Sequence, residues 1–517
     1  MFLSLVDTHT LDAENPMAIK KLVKILRAGG RVIIFPEGRI TTTGALMKTH
    51  LGPAIIAQKS GASILPVRID GAHLTHFSRM TGKIKPRFFN RITITAMPPR
   101  ALEIAPGLEG RARRNAARGA LAGVMTEMML EGAETRRTMP KAVLDAATMF
   151  GAGYAAVSEH GHHDLIMTYG QLIEQSAKVS SALMENAKEA RFIGVMLSNS
   201  ADAVSVILAI QAAGVAAAVM KSDWDIETTL RAARAAGLNT VVISRAQKAM
   251  AVELGKAGVQ AAFIEDLKAN LSRGAVFSPG VDSDPNAPAA AFYSLSSGGD
   301  GEWAVHSHAG LLANAYQLAA VMDFGPADIV FSAQPMSTHS GLLLGMVAPL
   351  LLGMRTSQHH SIPPHSTAPA AVYDSNATIV FGDGKLLEGM GKMGHPYDFG
   401  AVRRLLLVKP PAGKADVEGI EKLGLRPLRL FGDERTGMAW GDSPMYIGQG
   451  AAGKPLPGAR IRKRERADGM LEVRSPGAAL GQLNQAGDII APPGGWLDVG
   501  VSGRLDEQGF MVIDKEA

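Results

Sequence analysis

Ile33-Ile34-Phe35-Pro36-Glu37-Gly38-Arg39-Ile40-Thr41 decides how the first part of the chain is read, because an apolar strand ends there in a turn carrying one carboxylate, one glycine and one guanidinium. Arg39 offers a planar fork matched to phosphate oxygens. Gly38 lets the backbone approach a head group closely, and Glu37 can orient the arginine or a hydroxyl. Taken by itself the turn reads equally well as an ordinary salt-bridged loop, whose pair contributes little.

Outward from this turn the pattern alternates helix and strand: a helix over 18–27, a strand over 31–35, a helix near 53–60, and strands at 63–69 and 91–96. Pro98-Pro99 and Pro106-Gly107 punctuate the chain, and a helix over about 111–134 bridges to a larger unit. There a strand at 165–169 precedes a helix over 170–186. A strand at 192–197 leads through Ser198-Asn199-Ser200 to a helix over 201–213, and 215–220 is again a strand. This repeated alternation predicts a mostly parallel sheet covered on both faces.

A length of 517 residues suggests about three domains, and 46% hydrophobic residues can bury substantial cores. With no cysteine, disulfides, thiolate metal sites and cysteine nucleophiles are excluded. The apolar start meets Asp7 before a signal sequence develops, so a cytoplasmic chain is expected. Two apolar runs, 203–220 and 341–354, read as a helix followed by a strand and as a segment too short to cross about 30 Å of hydrocarbon; no membrane-spanning helix is expected. Arg79, Lys83, Lys85, Arg87 and Arg91 bracket Phe88-Phe89, which suits an anionic bilayer surface and equally a solvated basic face. The run from Arg111 to Arg118 reads as a solvated face or linker. Aromatic residues are only 5% and no nucleic-acid motif is present, so nucleic acid is not an expected partner. His9 reads as a surface residue. His160, His162, His163 and His359-His360 have no carboxylate or cysteine at a ligand spacing, so no metal site is expected.

Asn15-Pro16-Met17-Ala18-Ile19-Lys20, the run Phe35 to Gly44, Lys59-Ser60-Gly61-Ala62 and the stretch from Leu65-Pro66-Val67-Arg68-Ile69-Asp70 to Phe77-Ser78-Arg79 together resemble one family. It is the glycerophospholipid acyltransferase half of the bifunctional 2-acylglycerophosphoethanolamine acyltransferase/acyl-ACP synthetases of bacterial inner membranes. The resemblance implies that Glu37, Gly38 and Arg39 bind the acceptor's glycerophosphate, with Pro66 lining the same cleft. It also implies a His-x4-Asp block ahead of the Phe-Pro-Glu-Gly block, which deprotonates the acceptor hydroxyl. This chain is expected to lack that block, since His9 is followed by Asp12 at the wrong spacing.

A second loop carries the other half of the resemblance. Tyr293-Ser294-Leu295-Ser296-Ser297-Gly298-Gly299-Asp300-Gly301-Glu302 is a strand running into a Ser/Gly loop of the kind that cradles phosphates with backbone N–H groups. With His306-Ser307-His308, Leu312-Ala313-Asn314, Pro349-Leu350-Leu351, Val372-Tyr373-Asp374, Pro396-Tyr397-Asp398-Phe399 and Asp506-Glu507-Gln508-Gly509-Phe510, it is similar to the acyl-ACP synthetase half, an AMP-binding adenylate-forming domain. That family joins a fatty acid to ATP with Mg²⁺ and passes the acyl group to a carrier-protein thiol. The places that carry the ATP chemistry in relatives depart here. Glu302 stands at the loop's lysine position, turning attraction into repulsion. In Phe431-Gly432-Asp433-Glu434-Arg435, Arg435 falls where a carboxylate would help hold Mg²⁺, although a one-residue slip would leave Glu434 there. In the ribose block, which runs from Trp496 past Asp498 to Val501 and on to Arg504, Val501 replaces the aspartate that bonds the ribose, and Asp498 faces elsewhere if the strand register holds. The Phe-His-Ser-Phe element reads Ser337-Thr338-His339-Ser340, its histidine displaced by one. The resemblance further implies a small C-terminal domain bearing a catalytic lysine, which is expected to be missing after Ala517.

The expected fold class is therefore α/β: a partial glycerophospholipid-acyltransferase unit over 1–110, a helical linker over 111–140, and the large N-terminal part of an adenylate-forming (ANL-type) domain over 141–517. The resemblance implies a place in phospholipid acyl-chain recycling, peripheral to the cytoplasmic face of the inner membrane. Lysophospholipid, an acyl chain and acyl carrier protein are its implied partners. ATP and Mg²⁺ belong to the family, but the departures predict that adenylation is lost. Apolar core positions survive while polar ones at the ATP contacts change, so a folded chain that has lost a reaction is favoured over a broken gene product. The other reading is a non-catalytic relative that binds lysophospholipid or a carrier protein as a scaffold.

Overall fold

The fold is described from a computed structural model over residues 16–41, 44–80, 86, 88–89, 91–160, 165–185, 190–269, 277, 284–295, 301–359, 368–384, 386, 389–390, 399–408, 424–444, 452–464 and 469–516. His9 and the loop residues Ser296, Ser297, Gly298 and Gly299 lie outside these.

The first unit opens with α1 (Pro16–Arg27), whose Leu22 and Val23 pack on Ile56 of α2 (Leu51–Ser60). Gly61 ends α2 in the left-handed conformation, its N–H bonded to the Ala57 carbonyl. β1 (Val67–Asp70) and β2 (Thr93–Ala96) pair antiparallel, Ile69 opposite Ile94. The expected strand at 31–35 is corrected: the segment forms no ladder among the described residues. Val32 and Ile34 pack toward α1 while Ile33 and Phe35 point out. A strand exists only with a partner for its N–H and C=O groups, and periodicity alone does not supply one.

α3 (Gly110–Glu131) does more than bridge. Its Ala117 and Leu121 pack on Ala54 of α2. Its far end is held by Arg68, which donates to the Met129 carbonyl at 2.6 Å, and by Arg100, which pairs with Glu127 and Glu131. The same helix lies against the helix His308–Val321 of the larger unit. Arg111, Arg113 and Arg114 face solvent.

The larger unit holds two mixed sheets. In the first, Pro288–Leu295, Ala216–Val219, Phe192–Val195, Thr240–Ile243 and Gln260–Phe263 run parallel, and Gly301–Ser307 adds antiparallel beside Pro288–Leu295. In the second, Pro427–Asp433, Arg404–Val408, Ile379–Gly382, Ile329–Ser332, Arg355–His359 and Ala155–His160 are parallel, with antiparallel strands at both edges. Residue alternation assigns each strand's two faces: Ile193 and Val195 point into the core between the sheets, Phe192 into an outer one. Helices Ala201–Ala212 and His308–Val321 share that central core with both sheets, which is why the run at 203–220 is apolar on every side. No helix among the described residues is long and apolar enough to cross a membrane. A third, antiparallel sheet of Arg460–Lys463, Met470–Arg474, Leu497–Leu505 and Met511–Glu516 follows. His160 ends the strand Ala155–His160, and His359 likewise closes Arg355–His359.

Candidate functional site

Two places gather the polar residues singled out from the sequence. In the first unit, the Glu37 carboxylate accepts from the Met47 N–H at 2.8 Å, and the Nε of Arg39 lies 3.1 Å from the Met47 sulfur. Burial pushes the Glu37 carboxyl above its ordinary range, against the hydrogen bond from Met47 and the charge of Arg39. Gly38 sits at φ +66, and a Cβ there would touch the His50 ring at 3.0 Å. The left-handed backbone favours glycine, and a larger residue would also have to push the His50 ring aside. His50, which precedes α2 and hands its N–H to the Pro36 carbonyl, was not anticipated, because nothing in its spacing ties it to the turn. Pro66 is buried and its carbonyl accepts from Met97, with no hydrogen bond or ion pair joining it to Glu37 or Arg39 among the described residues.

The second place lies where the first sheet, the second sheet and the third meet. The strands bracketing the Ser/Gly loop pair so that Glu302 stands directly opposite Ser294, their side chains on one face. The Ser294 hydroxyl donates to the Glu434 carboxylate at 3.3 Å, and the amide of Gln482 donates to Glu302. Two carboxylates therefore flank the base of the loop. Phe431 stacks on Trp440 with ring centroids 5.5 Å apart and planes 7° from parallel. Gly432 is a close approach: a Cβ there would lie 1.8 Å from the Gly437 carbonyl.

Beyond it, Asp433 caps its own turn, accepting from the N–H groups of Arg435 at 2.9 Å and Thr436 at 2.7 Å. The Arg435 guanidinium donates to Asp433 and to the backbone carbonyl of Asp498, each at 3.3 Å. The Asp498 carboxylate accepts from Arg464 at 2.6 Å. Thus Arg435 and Asp498, taken from two separate blocks, come together. Val501 turns half-buried into the third sheet's core, and Arg504, at the other end of Leu497–Leu505, pairs with Asp514 at the surface. Arg504 stands apart from the cleft.

Behind the loop, His306 donates from Nε2 to the Glu434 carbonyl at 2.7 Å and its ring lies against that of His339. Thr338 caps the short helix that His339 begins, its hydroxyl accepting from the Gly341 N–H at 3.0 Å, so the displaced histidine points inward instead of toward the cleft. Gln482 and Arg464 were missed because each reaches the site through tertiary pairing alone, and His306 was read only as part of the run that follows the loop.

Two family models match separate stretches of the chain. The model of the family described as AMP-binding enzyme matches residues 144–491, and the model described as Acyltransferase matches residues 4–70. Among solved structures, ATP-bound MatB from Rhodopseudomonas palustris aligns at 19% identity over 74% of this chain and 79% of that one, with a TM-score of 0.64. A benzoate CoA ligase from Burkholderia xenovorans aligns at 20% identity over 74% and 80%, TM-score 0.65. The anthranilate CoA ligase AuaEII in complex with anthranoyl-AMP aligns at 15% identity over 75% and 78%, TM-score 0.66. At such identities the likeness is one of fold.

Proposed function

Because the chain belongs to the AMP-binding enzyme family and carries an acyltransferase segment ahead of its adenylate-forming fold, we propose that it is a lysophospholipid acyltransferase/acyl-ACP synthetase-like protein of phospholipid acyl-chain recycling in which acyl adenylation is absent or severely reduced. The observation that carries the second part is the pair of acids at the loop base. Glu302 stands opposite Ser294 and Glu434 accepts from its hydroxyl. A triphosphate brought there meets two like charges at short range.

The donor set around Arg435 argues the same way. A guanidinium cannot ligate Mg²⁺. Arg435 is moreover held by Asp433 and the Asp498 carbonyl, and Asp498 by Arg464, so these groups satisfy one another. The residues present do not fit ATP with Mg²⁺.

In this reading the units divide as 1–110, 111–140 and 141–517, and the first binds an acceptor's phosphate through Arg39, with Glu37 fixed by Met47. Acyl carrier protein is the partner this family reading brings for the larger unit. The non-catalytic alternative, a scaffold binding lysophospholipid, draws on the same acid pair. The test is a thermal-shift titration of the full chain with Mg-ATP and, separately, with lysophosphatidylethanolamine, beside a pyrophosphate-exchange assay. A ligand that binds only the native state raises apparent stability by mass action. The expected result is a shift with the lysophospholipid, none with Mg-ATP and no exchange. Measurable acyl-adenylate formation by the unmodified chain overturns the reading.

A further inference from the structure

Charge is distributed very unevenly along this chain. Residues 16–100 hold fifteen lysines and arginines against two acids, Glu37 and Asp70, whereas the whole chain nets only +5, so the remainder is collectively acidic. Both acids are engaged within the unit, Glu37 by the Met47 N–H at 2.8 Å and Asp70 by Arg68 at 2.7 Å. The first unit therefore presents a cationic surface.

That surface is also apolar in one direction. In the β1–β2 pair, Ile69 faces Ile94 and Val67 faces Ala96, and the alternation continues through Leu65 and Ile92. All five of the larger apolar side chains on this face are exposed, Ile94 by 68%. On the opposite face Arg68 and Asp70 of β1 are half-buried, Arg68 reaching the Met129 carbonyl of α3, while Thr93 and Thr95 of β2 stay in solvent. A two-stranded sheet ordinarily buries its apolar side, and this one leaves it open. Nearby in sequence, Phe77, Phe88 and Phe89 are exposed by 94%, 85% and 101%, and the Phe88 ring lies 4.1 Å from that of His76, which brings the two phenylalanine segments together. Arg79 and Arg91 border them in the chain.

We propose that the outward face of the β1–β2 sheet, with Phe77, Phe88 and Phe89, docks on an anionic phospholipid bilayer. This goes beyond the phosphate-binding reading of Glu37 to Arg39 and does not depend on it. Charge decides between occupants. A second copy pairing through this same face would bring a like cationic unit against it and be repelled, whereas an anionic surface draws each basic residue near it by roughly 1 kcal/mol, a factor of about five in binding. A nucleic acid would satisfy the charge but leave the isoleucine face in water. A bilayer interface takes both, with aromatic rings at head-group depth and cations among the phosphates.

The experiment is cosedimentation of the full chain with vesicles of phosphatidylcholine alone and of phosphatidylcholine with phosphatidylglycerol, at low and at high salt. Binding is expected to be at least about tenfold tighter with phosphatidylglycerol and to weaken as salt rises. The triple variant Phe77→Ser, Phe88→Ser, Phe89→Ser is expected to lose about tenfold on those vesicles with its thermal midpoint unchanged. Ile69→Thr with Ile94→Thr keeps strand propensity and is expected to weaken binding likewise. Equal partitioning onto both vesicle types, or undiminished binding by both variants, overturns the proposal. So does a dimer in solution that the isoleucine variant dissolves, or oligonucleotide binding that the phenylalanine variant abolishes. A missing thermal shift with lysophosphatidylethanolamine beside intact vesicle binding would sink the acceptor reading and leave this one standing.

Discussion

The imidazole rings of His306 and His339 lie 4.5 Å apart and 33° from parallel, both fully buried, with Phe292 edge-on to each. Burial depresses the His306 pKa to about 4 and holds His339 well below its ordinary value, an effect to which His306 adds by repulsion. His308, whose Nδ1 accepts from the Met139 N–H, is likewise depressed to about 4 by burial. Asp433 is the acid whose field reaches His306, and it does not offset the loss of solvent.

The sign of the resulting pH dependence is fixed. Below pH 6.5 the unfolded chain binds protons at these histidines that the folded chain refuses, so stability falls as pH drops from 6.5 toward about 4. His306 alone accounts for roughly 3 kcal/mol across that window. Urea midpoints measured above and within it should show the fall, and His339→Phe should flatten it. Equal slopes in the variant and the parent would place the effect elsewhere.

Glu302→Lys is expected to tighten ATP binding by several-fold, since it removes one of two carboxylates facing Ser294 and adds a cation at an exposed position where solvent screens part of the gain. It is not expected to restore acyl-adenylate formation, because Glu434 and the Arg435 network persist. Pyrophosphate exchange by the single variant would refute this.

Arg39→Ala should weaken lysophosphatidylethanolamine binding by about tenfold while leaving the thermal midpoint nearly unmoved, since its own protein contact is a thioether at the surface. Gly38→Ala should cost both, because its backbone is left-handed and its Cβ would meet His50. Thermal-shift titration reads the two effects separately.

Asp328 and Asp514 test burial against exposure. Asp328 is almost wholly buried and accepts from Arg403, Thr378 and the Gly325 N–H. Removing it as Asp328→Ala should cost about 3 kcal/mol in chemical denaturation, since Arg403 keeps only Asp323 as an acidic partner and the Gly325 N–H loses its buried acceptor. Asp514, paired with Arg504 in solvent, should cost about 0.5 kcal/mol or less when replaced by alanine.

Much of the architecture was readable in advance because it rests on period and punctuation. The helix–strand units at 165–184 and 192–219 match expectation within a few residues. The segment at 31–35 shows the limit: its alternation fits a strand, but ladder partners lie at sequence distances that periodicity does not encode. In the site, Glu302 was legible as a charge in the wrong place. Its companion Glu434 was read only as a possible substitute ligand, because the bond to Ser294 spans 140 residues. Arg435 and Asp498 belonged to separate blocks on paper and touch only through the fold. The fifteen-to-two excess of basic residues over 16–100 was in plain view, but the outward aim of the isoleucines needed the β1–β2 register.

α3 has one flank on Ala54 of α2 and another against the helix His308–Val321. It works as a shared girder, so a protease nick ahead of Gly110 would leave sticky apolar wounds on both fragments instead of freeing two tidy modules. Any mechanical strain applied to the basic end of the chain has a stiff path into the middle of the larger half.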